Sequence, residues 1–172
     1  ANGHESKTFY DGLDRVTRTR DHLGNTVEYT YDANSNVIEV KETELTQDAQ
    51  PTTQIFVTSN EYDHLDRLIK TTNPIGVSRE RNYDSRHNLV RTTNGEQNTV
   101  SHFYDGINRL YKTIRDLRQG GTATQGDWPV GQPGAIIGQV ITQNVWDDNS
   151  RLINIIDANN NITIRSYDVL NR

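Results

Sequence analysis

Tyr62-Asp63-His64-Leu65-Asp66-Arg67-Leu68 returns 21 residues later as Tyr83-Asp84-Ser85-Arg86-His87-Asn88-Leu89, and this recurrence decides the fold. The shared frame is an aromatic residue, Asp, three variable residues, Arg or Asn, then Val or Leu. Seven copies occur, opening at Tyr10-Asp11, Tyr31-Asp32, Tyr62-Asp63, Tyr83-Asp84, Tyr104-Asp105, Trp146-Asp147 and Tyr167-Asp168. Their spacings are 21, 31, 21, 21, 42 and 21 residues. Chance placement of 8 Tyr and 15 Asp in 172 positions gives fewer than one Tyr-Asp dipeptide, and six occur. A fixed period of roughly 20–50 residues marks a repeat architecture.

About midway between frames lies a second polar knot: Asp21-His22-Leu23-Gly24-Asn25, Asn73-Pro74-Ile75-Gly76, Asn94-Gly95 and Asp157-Ala158-Asn159-Asn160-Asn161. Asn, Asp, Gly and Pro mark turns, because they tolerate left-handed φ, pre-set φ or bond their own backbone. Between the knots run short segments rich in Thr, Val, Ile and Tyr, such as Leu68–Thr72, Thr99–Tyr104 and Ile162–Tyr167. Their composition and length predict strands. Two strands and two turns per period make an antiparallel meander, with all Tyr-Asp turns on one edge and all Asn/Gly turns on the other.

The dipeptide suits that placement. The aromatic closes a strand and keeps a hydroxyl or indole N–H near the wet rim. Asp opens the turn by accepting backbone N–H groups, and secondarily meets the Arg four residues on, at Asp11/Arg15, Asp63/Arg67 and Asp105/Arg109. Two residues after Asp, the frames alternate between aliphatic (Leu13, Leu65, Ile107, Leu170) and polar (Asn34, Arg86, Asn149), so the pattern predicts a double-repeat unit with buried aliphatic turn tips. The alternation survives the 31- and 42-residue gaps. Those gaps therefore read as loop insertions near 42–54, including Pro51, and near 117–138, where Gly and Pro concentrate.

Leu, Ile, Val and Phe supply only 39 of the 172 residues, or 23%. Disorder is the rule only below about 20% with high net charge, and the net charge is −5. The sparse apolar content excludes a sandwich core, which demands cleaner alternation. It predicts an all-β, curved single-layer sheet wetted on both faces, one array spanning 1–172. The absence of Met and the stop at Arg172, where an apolar strand opener is due, predict a piece of a longer chain. No apolar run approaches the roughly 18 residues of a membrane helix. The acidic, dispersed charge gives no nucleic-acid footprint. With no Cys there is no disulfide framework.

The frame resembles that of the RHS/YD-repeat family, and the resemblance runs from about Phe9 to Arg172. It implies β-hairpin repeats winding into a hollow shell. Such shells enclose the toxic C-terminal part of secreted bacterial polymorphic toxins and insecticidal toxin complexes, and a related barrel occurs in teneurin-like adhesion proteins. The implied partners are neighbouring repeats and an encapsulated toxin polypeptide, and the implied location is secreted or cell-surface. The family's shell-closing self-cleavage segment carries an Asp-Pro core, which this sequence lacks, so no protease role passes to its aspartates. Trp146 replaces Tyr and keeps the ring.

Candidate sites are few. Asp32-x-Asn34-x-Asn36 and Asp157-x-Asn159-x-Asn161 mimic the opening of a calcium loop, but Val37 and Ile162 stand where that loop needs Gly. His4, His22, His64, His87 and His102 show no metal-ligand spacing, and Ser101-His102 on a strand points to opposite faces. The residues predict no catalytic centre and no cofactor. A runner-up reading is an adhesion module that binds carbohydrate or a receptor through its inserted loops, with Trp128 as a stacking residue. Open strand edges add self-association as a further expectation.

Overall fold

Thr, Val, Ile and aromatic residues suit a pleated, half-wet surface, and the runs that carry them form thirteen strands. The computed structural model describes residues 5–46, 52–118 and 136–172. The strands are β1 (Lys7–Tyr10), β2 (Val16–Arg20), β3 (Thr26–Tyr31), β4 (Val37–Leu45), β5 (Thr53–Tyr62), β6 (Leu68–Thr72) and β7 (Ser78–Tyr83). They continue as β8 (Leu89–Thr93), β9 (Thr99–Tyr104), β10 (Leu110–Arg118), β11 (Ile136–Trp146), β12 (Leu152–Ile156) and β13 (Ile162–Ile164). No helix occurs among the described residues. The chain forms two compact units, residues 1–79 and 80–172.

In the first unit β1 to β6 pair in chain order, every pair antiparallel. In the second, β7 to β13 do the same. The fold is thus an antiparallel meander. The frame aromatics that end a strand sit at a register shift: Thr30/Tyr31, Glu61/Tyr62, Asn82/Tyr83 and Val145/Trp146 are examples. The shift is the bulge that a type I turn with a left-handed last residue imposes on a hairpin.

Both edges use that one turn. In the first frame the Asp11 N–H donates to Arg15 O at 2.9 Å and the Asp14 N–H to Asp11 O at 3.2 Å, with Asp14 at φ 59°. The same two bonds and the same φ sign recur at every later frame, at Ser35, Asp66, His87, Asn108, Ser150 and Asn171. On the opposite edge Gly24, Gly76, Gln97 and Asn160 hold the equivalent position. The two knots, distinct in sequence, are therefore one structure. Its left-handed residue is Asp, Asn or Gly at seven of eleven sites, the types that bear that φ at least cost.

No apolar side chain is buried among the described residues, and Thr99, 2% exposed, is the one buried residue. It donates to the Asp116 carboxylate, which also accepts from Gln139 Nε2 at 3.0 Å. Along β5 the faces differ: Phe56, Thr58, Asn60 and Tyr62 are half-buried while Ile55, Val57, Ser59 and Glu61 are exposed. The exposed face carries cross-strand ion pairs, Lys41–Glu28 at 3.4 Å and Lys70–Glu61 at 3.1 Å. Exposed pairs of this kind contribute only about 0–1 kcal/mol.

Three expectations need correction. The aliphatic turn tips are exposed: Leu13 69%, Leu65 48%, Ile107 66% and Leu170 65%. A residue at the third turn position projects beyond the last strand pair, where no neighbouring strand reaches it. Glu42–Leu45, Thr53 and Gln54, expected within an inserted loop, are strand: Glu42 pairs with Phe56 and Leu45 with Thr53. The backbone ladder extends there whatever the side chains, because both faces are already wet. In the second expected insertion, β10 runs to Arg118 and β11 starts at Ile136, with Leu117 opposite Gly138; residues 119–135, including Trp128, lie outside the described residues. Finally, the strand expected to reach Tyr167 stops at Ile164, and only the Arg165 N–H carries the pairing on, to Ile153 O at 2.8 Å.

Candidate functional site

The Tyr-Asp edge concentrates the polar chemistry of the chain. Each frame Asp uses both carboxylate oxygens inside its own turn. Asp63 Oδ1 accepts from the Leu65 N–H at 2.9 Å and the Arg67 N–H at 3.1 Å, and Oδ2 from Arg67 Nε at 2.7 Å. Asp11, Asp105, Asp147 and Asp168 repeat this set with Arg15, Arg109, Arg151 and Arg172. At Asp32 and Asp84 the fifth residue is Asn, and Asn36 Nδ2 and Asn88 Nδ2 take the place of the guanidinium at 3.0 and 2.9 Å. Asp21 and Asp157 do likewise on the opposite edge with Asn25 and Asn161.

These donors favour the charged carboxylate. The Arg67 side-chain bond, followed by the turn's backbone N–H groups, lowers Asp63 to about 2. Asp11, Asp105, Asp147 and Asp168 are lowered chiefly by the backbone N–H of the fifth turn residue. Asp32, Asp84 and Asp157 are lowered chiefly by the side-chain amide of that residue. The calcium-like runs at Asp32 and Asp157 therefore have their oxygens engaged by the turn itself.

The aromatics of five frames tie their repeats to the ones before. Tyr31 OH donates to Val16 O at 2.7 Å, Tyr62 OH to Val37 O at 3.2 Å, Tyr104 OH to Leu89 O at 3.2 Å and Tyr167 OH to Leu152 O at 3.0 Å. Trp146 uses its indole Nε1, donating to Leu110 O at 3.0 Å. The acceptor is always the Val or Leu that ends the preceding frame. Asn60 Nδ2 and Asn144 Nδ2, two residues before their aromatics, donate to the same carbonyls at 3.0 Å. Burial, with the Asp84 charge added, raises the Tyr104 pKa and keeps its hydroxyl a donor. Tyr10 closes β1 and Tyr83 closes β7 in the same position.

A third link joins consecutive turns. The fifth residue of one turn reaches the fourth of the next: Arg15 Nη1 to Ser35 Oγ at 3.0 Å, Asn36 Nδ2 to Asp66 Oδ1 at 2.7 Å, and Asn88 Nδ2 to Asn108 Oδ1 at 3.0 Å. Arg109 Nη1 to Ser150 Oγ at 3.2 Å and Arg151 Nη1 to Asn171 Oδ1 at 3.2 Å continue the series. The same guanidiniums lie over the next aromatic ring, Arg15 at 4.4 Å from the Tyr31 centroid, Arg151 at 5.5 Å from Tyr167 and Arg109 at 5.7 Å from Trp146. The four-residue Asp-to-Arg spacing in sequence points only to the pair within one turn. The signal for the link was present, because the fourth turn position is always polar.

His64 and His87 lie in exposed turns, and His102 on β9 shares a hydrogen bond of 3.3 Å with Thr113 Oγ1. Partial burial lowers the His102 pKa.

Residues 10–46 and 62–99 match the family model described as RHS Repeat. These two segments are similar to RHS repeats. The frames opening at Tyr104, Trp146 and Tyr167, beyond the matched segments, make the same turn and clamp bonds as the frames at Tyr31 and Tyr62 within them. No curated protein matches the sequence. Among solved structures, a TcdB2-TccC3-Cdc42 crystal structure is similar with TM-score 0.65 and 15% identity, over 90% of this chain and 7% of that one. A TcdB2-TccC3-TEV crystal structure gives TM-score 0.48 and 12% identity over 97% of this chain and 10% of that one. A Tc holotoxin pore from Photorhabdus luminescens gives TM-score 0.44 and 11% identity over 88% and 9%. The first of these shows a shared fold: the antiparallel meander matches a small part of a far longer chain there.

Proposed function

We propose that this array of RHS repeats is a non-catalytic piece of a wall that surrounds a polypeptide cargo, in a secreted or surface-delivered bacterial protein. The observation that carries the reading is the repeat-to-repeat clamp. Within each unit, aromatic and fifth-residue side chains tie repeats to their neighbours along the Tyr-Asp edge, with no buried apolar core among the described residues. A sheet held this way grows by adding repeats, which suits an enclosing surface. Its exposed face presents an enclosed chain with a mixed surface, ion pairs beside Ile55 and Val57. The similarity to a TcdB2-TccC3 complex, a part of Tc toxins, supports a toxin polypeptide as the cargo.

Limited proteolysis of the full-length protein, read by mass spectrometry, tests this. A segment outside the repeats is expected to resist cleavage, and to lose that protection when the clamps are removed together by Tyr31→Ala and Tyr104→Ala. Equal cleavage of that segment in both proteins would refute enclosure.

A further inference from the structure

Nine turns of the described chain open on Asp, and two, at Asn73 and Asn94, open on Asn. Four of the Asp turns end on Asn, and in each the Asp Oδ2 accepts from that residue's Nδ2, at 2.8 to 3.0 Å. The turn Asn94 to Asn98 also ends on Asn but has an amide where the carboxylate should be. Its Asn98 Nδ2 turns instead to Glu96 Oε2 at 3.1 Å. The Asn94 Oδ1 still takes the two turn bonds, from the Glu96 N–H at 3.1 Å and the Asn98 N–H at 2.8 Å.

We propose that Asn94 is a site of spontaneous deamidation, and that the reaction converts this turn to the aspartate form of its neighbours. The residue that follows is Gly95, which has no side chain to block approach of its nitrogen, and the turn's hydrogen bonds use the N–H groups of residues 94, 96, 97 and 98. The Gly95 nitrogen attacks Asn94 Cγ and forms a C–N bond. Nδ2 leaves as ammonia, carrying off the Gly95 amide proton, and a succinimide remains. Negative charge grows on Oδ1 during the attack, where two backbone N–H groups already point, an arrangement that stabilises a tetrahedral intermediate. Water then adds at Cγ, breaks the new C–N bond and leaves a carboxylate on a normal backbone. The half-exposed Asn94 and exposed Gly95 admit that water.

Asn73 is the internal contrast. Its Oδ1 is held by the same two donors, the N–H groups of Ile75 at 3.2 Å and Val77 at 2.8 Å. The next residue is Pro74, whose ring nitrogen has no proton to give up. The same turn geometry therefore stays inert at one site and reacts at the other.

The test is peptide mapping of the full-length protein during storage at mildly alkaline pH, with isoaspartate detection. The expected result is a mass gain of about one dalton on the peptide holding Asn94, none on the peptide holding Asn73, and recovery of normal aspartate at position 94. No mass gain at Asn94, while a free peptide of the same sequence reacts, would overturn the proposal, and so would an isoaspartyl product alone. Separately, Asn94→Asp is expected to raise the thermal midpoint by about 2–4 °C, the shift of one charge-assisted hydrogen bond in a chain of this size. A lowered midpoint would refute completion of the turn.

Discussion

Tyr31 is the residue at which the clamp is best dissected. Its hydroxyl donates to Val16 O at 2.7 Å, and its ring lies under the Arg15 guanidinium at 4.4 Å. Tyr31→Phe removes the hydroxyl bond and keeps the ring. A net hydrogen bond is worth about 0.5–1.5 kcal/mol, so the thermal midpoint should fall by about 1–6 °C in a chain of this size. Tyr31→Leu also removes the cation–π contact, worth about 0.5–1 kcal/mol at an exposed site, and the loss should grow to about 1–2.5 kcal/mol. Arg15→Met alone breaks the pair with Asp11 as well, at 2.7 Å, so the Arg15–Tyr31 contribution has to come from the double-mutant cycle. Circular dichroism during thermal and urea unfolding gives the midpoints, and hydrogen exchange localises the loss to residues 1–79. If Tyr31→Phe and Tyr31→Leu both unfold at the wild-type midpoint, the aromatic does not join one repeat to the next and the clamp account fails.

The turn carboxylates give a pH prediction. Asp63 is lowered to about 2 from 3.8, and the other frame aspartates are lowered in the same direction. A depressed folded pKa gives stability that is complete above the unfolded value and is lost as pH falls through the folded one. The urea midpoint should therefore drop between pH 4 and 2, and Asp63→Asn should shrink the drop; a flat midpoint across that window would sink the idea. At the left-handed turn position, His87 has φ 66°. His87→Gly should relieve strain of about 1–2 kcal/mol, less the entropy of Gly, whereas the β-branched His87→Val should add to it; equal denaturation midpoints for the two variants would contradict the turn assignment. Because the Leu65 tip is exposed, Leu65→Ser should leave the midpoint within about 0.5 kcal/mol. A larger loss in the same unfolding assay would restore the burial expected from sequence.

Most of the fold was legible because period and turn chemistry constrain the same positions. Tyr at a strand end followed by Asp fixes where pairing stops and where the chain reverses, so strands such as Leu68–Thr72 and Thr99–Tyr104 could be placed to the residue. The aliphatic tips misled because apolar character in sequence does not say whether a neighbour is within reach; Leu65 lies past the last strand pair. Glu42-Thr43-Glu44-Leu45 misled for the opposite reason, since a ladder with two wet faces imposes no alternation on which to recognise it. The links from Arg15 to Ser35 and from Asn36 to Asp66 join residues 20 and 30 apart. They emerge only once successive turns are known to lie side by side.

A one-layer sheet must take its stability from somewhere other than a core, and here it comes from the edge. Hydrogen bonds within each turn fix the reversal, and the aromatic and fifth-residue links fix the distance to the next reversal. The two long hairpins, β4/β5 and β10/β11, close on the opposite edge. The Tyr62 clamp to Val37 and the Trp146 clamp to Leu110 therefore span 25 and 36 residues of sequence, where Tyr31 and Tyr104 span 15. Donor–acceptor distances of 3.2 and 3.0 Å at the long spans lie within the range of the short ones. Extra chain added at that edge leaves the clamped edge in register. Interactions that reach only the adjacent repeat make stability a sum of local terms, so such a wall tolerates insertion at one edge while its spacing is kept at the other.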